Sequence, residues 1–105
     1  MTVLPRGVAQ QLELIKQLNA LAPYPSSVVN LRYSIDEDWT GDPAIFFWVT
    51  LTDQAAARDD LHQNALDIED YVVAKIDPMG KWDLIPYFNF RSKSEQDRLN
   101  DPTFG

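Results

Sequence analysis

A chain of 105 residues has the length of one domain, enough to bury a single modest core but too short for a core, a deep cofactor pocket and a lid together. With 45% hydrophobic and 24% charged residues its composition is that of an ordinary globular domain, so residues 1–105 read as one unit with loosely ordered ends at 1–7 and 92–105. Sixteen acids against nine bases repel phosphate backbones and anionic lipid, which disfavours nucleic acid and membrane as partners, and the lack of cysteine excludes disulfides, thiol catalysis and thiolate metal sites.

The opening residues Met-Thr-Val-Leu-Pro-Arg-Gly show no basic start followed by an apolar run, and no later run approaches the ~20 apolar residues of a membrane helix. A cytoplasmic location is expected. From Val8 onward, Val8, Leu12, Ile15, Leu18 and Ala22 recur at helical spacing, while Leu14 and Leu21 lie off that stripe. Pro23 and Pro25 end this helix, because a proline removes a backbone donor and pushes the residue before it out of the helical region.

After a Pro-Ser-Ser turn, Val29, Leu31, Tyr33 and Ile35 alternate with Val28, Asn30, Arg32 and Ser34, the pattern of a half-buried strand. Asp36 to Pro43 is a polar connection that predicts a hairpin with an acidic tip. The stretch Ala44–Leu51, Ala-Ile-Phe-Phe-Trp-Val-Thr-Leu, follows. Ile45, Phe47, Val49 and Leu51 fall on one face of an extended chain, and Ala44, Phe46, Trp48 and Thr50 on the other. A strand apolar on both sides belongs in the middle of a sheet.

Thr52 and Asp53 are good helix N-caps. Leu61, Ala65, Ile68, Val72 and Ile76 make the buried stripe of a second helix that stops at Asp77-Pro78-Met79-Gly80. Trp82 to Phe90 reads as a third strand, bent or at an edge because of Pro86. A right-handed strand-helix-strand crossover sets it parallel to the central strand. The expected fold is therefore α+β, a two-layer sandwich of order α-β-β-α-β, with a small mixed sheet and two helices on one face.

Chemistry-bearing constellations are sparse. Asp36, Asp38 and Gly41 imitate the first, third and sixth places of a calcium loop, but the twelfth place is Phe47 instead of a bidentate Glu. The loop reads as a solvated tip; the alternative is a hard-cation site of Asp36, Asp38 and Asp42 serving a small metal-assisted phosphoryl hydrolase. No glycine-rich phosphate loop exists, and the single histidine, His62, has no assignable base, orienter or co-ligand. No cofactor is expected, and the balance is against an enzyme.

Arg91, Lys93 and Arg98 follow the aromatic run Tyr87, Phe88 and Phe90, but Glu95, Asp97 and Asp101 dilute them. Two helices cover one sheet face only. The other, carrying Phe46, Trp48 and Tyr87 with Tyr33 and Arg91, is expected to bind another protein or a second copy of the chain as a dimer, since interfaces concentrate Trp, Tyr and Arg. That makes the chain a regulatory subunit, an inhibitor or antitoxin, or an adaptor.

Overall fold

In a computed structural model that describes residues 4–105, the elements run α1 (Arg6–Ala9), α2 (Gln11–Asn19), β1 (Val28–Glu37), β2 (Pro43–Leu51), α3 (Leu61–Ile76), α4 (Pro78–Trp82), β3 (Ile85–Ser92) and α5 (Lys93–Leu99). Of the segment 1–7, residues 1–3 lie outside the described residues. The sheet order is β1-β2-β3, antiparallel between β1 and β2 and parallel between β2 and β3. The architecture is the expected α+β sheet with β2 central, and β3, which contains Pro86, at an edge. Among the described residues no helix is long and apolar enough to cross a membrane.

Ile45, Phe47, Val49 and Leu51 are buried, and Leu14, Leu18 and Leu21 from the first helical segment join Ile68, Val72 and Ile76 of α3 against them. Phe88 and Phe90 extend this core from β3, with Phe88 stacked on Phe47 at 4.9 Å between ring centroids. The layers are also tied by polar contacts. The Tyr71 hydroxyl donates to the Leu21 carbonyl at 2.6 Å, and Arg6 grips the Asp83 carboxylate with Nε and Nη2, both at 3.0 Å.

Four local expectations are corrected. The first helix is not one stripe: Gln10, at φ −117° and ψ 42°, breaks it into α1 and α2. The break resets the phase, so Leu14, Leu18 and Leu21 turn inward and Leu12 is left 82% exposed. In β1 a register shift between Val28 and Asn30 turns Val29 out and lets Val28 pack on the core.

Residues 53–60 form turns, and the second long helix starts only at Leu61. The Thr52 hydroxyl accepts from the Ala55 amide at 3.1 Å and so caps a single turn, while the Asp53 carboxylate is drawn away to accept from the Ser94 amide and hydroxyl. Trp82 lies in α4 and not in a strand. Asp77, in the left-handed region, caps that short helix by accepting from the Gly80 amide at 3.2 Å, and Pro78 occupies its first turn, where a missing amide costs nothing. The buried Trp82 then donates its indole N–H to the Ile76 carbonyl at 3.0 Å.

Candidate functional site

Strand register fixes which side chains share the sheet face turned away from α2 and α3. Reading across β1, β2 and β3 from the hairpin end, the rows are Asp36, Ala44 and Ile85; Ser34, Phe46 and Tyr87; Arg32, Trp48 and Asn89; and Asn30, Thr50 and Arg91. Phe46, Trp48 and Tyr87 are therefore brought together. Phe46 stacks on Tyr87 at 5.3 Å and on Trp48 at 5.8 Å. Tyr33 is not with them. It pairs with Phe47 and packs into the core, because side chains alternate and the hairpin register puts odd-numbered residues of both strands on the helix side.

A fourth ring completes the cluster. Trp39, in the hairpin loop, lies 5.2 Å from Tyr87 at a tilt of 54° and is 80% exposed. Its position follows from Asp38. One oxygen of that carboxylate, Oδ1, accepts from the Thr40 amide at 2.9 Å, the Thr40 hydroxyl at 2.6 Å and the Asp42 amide at 3.0 Å, which winds the loop. The other, Oδ2, accepts from the Tyr87 hydroxyl at 2.8 Å and pins the loop to β3. The Thr40 hydroxyl, with Tyr87 and the loop amides, holds the Asp38 carboxyl down at about 2, and the same carboxylate pushes the Tyr87 phenol above its ordinary range.

These bonds also account for the acidic trio. Asp38 spends both oxygens on internal donors, Asp36 accepts from the Glu37 amide at 2.7 Å, and Asp42 lies 3.0 Å from the Thr40 hydroxyl, whose one proton it shares with the nearer Asp38. A cation at Asp38 would have to displace four hydrogen bonds. Among the described residues no three His, Cys, Asp or Glu side chains are grouped so as to hold a metal. A hollow of about 450 Å³ beside Ser26, Thr52 and Asn64 has Asp60 as its only ionisable lining side chain, which offers no acid-base pair.

Arg91 stands on the aromatic side but is committed within the chain. Its guanidinium sits 4.1 Å over the Phe104 ring and donates to Gln96 Oε1 at 3.1 Å and Asp101 Oδ2 at 3.4 Å. The stretch after Ser92, where the sequence allows a short helix before the chain's end, forms α5 and then folds back. Asn30 Nδ2 donates to the Phe104 carbonyl at 2.9 Å and Arg32 Nη1 to the Pro102 carbonyl at 3.1 Å. Phe104 is buried. Residues 101–105 thus lie over the Asn30, Thr50 and Arg91 end of the face and leave the end with Phe46, Trp48, Tyr87 and Trp39 open.

Sequence reasoning missed Trp39 as a site residue and the covering role of 101–105. Asp38-Trp39-Thr40-Gly41 carries the turn signal that could have placed the tryptophan. The covering segment depends on tertiary contacts with no local pattern. Compared with models of known protein families, with characterised proteins and with solved structures, the chain matches none.

Proposed function

We propose that this chain is a small acidic protein-interaction module of the cytoplasm, a regulatory subunit, inhibitor or adaptor, which docks a partner protein on the open aromatic end of its sheet. The observation that carries the reading is the cluster of four rings beyond the reach of residues 101–105, with Trp39 held out at 80% exposure by a loop wound around the Asp38 carboxylate. Preorganised aromatic anchors bind without a large ordering cost. The open end, two residue rows deep and three strands wide, covers only about 200 Å² by ordinary sheet spacings, against ~800 Å² per partner in a standard interface. It suits a transient contact dominated by a few anchors. Asp36 stands in the row next to Phe46, Asp42 lies in the loop that carries Trp39, and the chain carries a formal charge of −7, so the partner presents an apolar anchor rimmed by Lys or Arg.

The test places the photo-crosslinker benzoylphenylalanine at position 39, with position 12, equally exposed on the helical side, as control. In host cells position 39 should give one adduct of defined mass, weakened by high salt and by Trp48→Ala, while position 12 gives none. Equal labelling from both positions would remove the reading. An adduct of twice the chain's own mass would replace the heterologous partner by a second copy.

A further inference from the structure

The geometry points to residues 101–105 as a displaceable strap: they leave the sheet reversibly and, in leaving, extend the open aromatic face from Phe46 and Trp48 to Thr50 and Arg91. The function of such a device, gating access to the docking surface, rests on the reading above; its existence does not.

How the segment is attached sets it apart from the rest of the fold. No backbone ladder joins it to the sheet. Its own amides are used internally, Phe104 N–H to the Asp101 carbonyl at 3.2 Å, Gly105 N–H to the Pro102 carbonyl at 3.3 Å and Thr103 N–H to Asp101 Oδ1 at 2.9 Å. It therefore keeps its turn when it leaves, and little backbone order is lost in the exchange. What holds it down is a set of side chains, Asn30, Arg32 and Gln96 reaching its carbonyls and Arg91 pairing with the Asp101 carboxylate, together with the seat of the Phe104 ring under Arg91.

A defect lies in that seat. Thr50 stands in register between Asn30 and Arg91, both of which touch Phe104, and is only 2% exposed, yet among the described residues its hydroxyl has no hydrogen-bond partner. A buried hydroxyl without a partner disfavours the closed state, and water or a partner's donor satisfies it once the strap is gone. Opening also releases the side-chain amide of Asn30 and the guanidinium of Arg32 beside the exposed Trp48 row, so the enlarged face offers peptide carbonyls the same donors that now hold Pro102 and Phe104.

The experiment uses the whole chain with 4-fluorophenylalanine at position 104 alone and reads its fluorine resonance, with Nile red, a neutral apolar dye, as the probe. Two exchanging environments are expected, one seated and one solvated. Thr50→Val, which keeps the shape and removes the unpaired hydroxyl, should lower the solvated population about fivefold. Asn30→Ala should raise it. Nile red should shift the population toward the solvated form, because a ligand for the uncovered face favours the open state, and Trp48→Ala should abolish that shift. A single seated environment, or a population indifferent to Thr50→Val, overturns the strap; a population indifferent to Nile red overturns the extension of the face. None of these readings requires the partner protein, so a missing partner and a fixed strap give different results.

Discussion

Asp38 is where a single side chain does most to shape the exposed site. Its carboxyl is lowered from 3.8 to about 2 by the Thr40 hydroxyl, with Tyr87 and the Asp42 and Thr40 amides adding to the effect. A carboxylate depressed in the folded state stabilises fully above its unfolded value and loses that contribution as pH falls through its folded value. The ring cluster should therefore be intact above about pH 4 and loosen between about 4 and 2. The measurement is the Trp39 indole and Tyr87 ring resonances during acid titration. In Asp38→Asn the acid step should vanish and the Tyr87 phenol should ionise nearer its ordinary 10.0. A step of the same size in the variant would show that other carboxylates govern the loop. Gly41 contributes differently. It sits at φ +87° with open space where a side chain would go, so Gly41→Ala should cost roughly 1 kcal/mol in urea unfolding through backbone strain alone, without a clash.

At the scale of elements, two leucines of one short stretch give a direct comparison. Leu12→Ala should change stability by less than about 0.5 kcal/mol, and Leu18→Ala should cost about 2–5 kcal/mol, read from urea midpoints at constant slope. A continuous helix with Val8, Leu12 and Ile15 as its stripe would cost more at position 12. The contrast shows what is legible in the chain and what is not. Hydrophobic period reveals that a helix exists near residues 8–22, but its phase depends on a break at Gln10, a residue with no proline or glycine signature. The same limit applies in β1, where alternation announces a strand but one register shift exchanges Val28 and Val29. It applies again at Tyr33. Alternation separates two faces within each strand, whereas deciding which face of β1 joins Phe46 needs the pairing across the hairpin, and that is a tertiary fact. By contrast β2 was readable as the centre, since a run apolar on both sides has few other places to go. Pro78 and Gly80 were readable as a stop to α3, but the same residues also start α4, because proline at the first turn and an aspartate cap both favour a new helix.

Across the whole molecule the two sheet faces do different work, although β2 makes them nearly equal in apolar content. One side is closed by α2, α3 and α4 around a shared core; the other is met by residues 101–105 at one end and by the Asp38–Asp42 loop at the other. Three neighbouring aromatics should therefore separate in equilibrium unfolding. Phe47, wholly buried and stacked on Phe88, should cost about 3–5 kcal/mol on truncation to Ala. Trp48, partly buried and stacked on Phe46, should cost less, about 1–2 kcal/mol, since part of its surface is still wet in the folded state. Trp39→Ala should fall within about 0.5 kcal/mol, as for other exposed surface positions. All three should retain a single cooperative transition, because helices and sheet share one core and no part of it can be lost alone. The ranking decides how the face is used. If Trp48→Ala proved as costly as Phe47→Ala, the outer side would be working as core, and its rings would have no free surface left to give a partner. If the ranking holds, Trp39 and Trp48 bring large aromatic area to the surface at little gain in stability, and adduct formation from position 39 becomes the measurement that shows what that area binds.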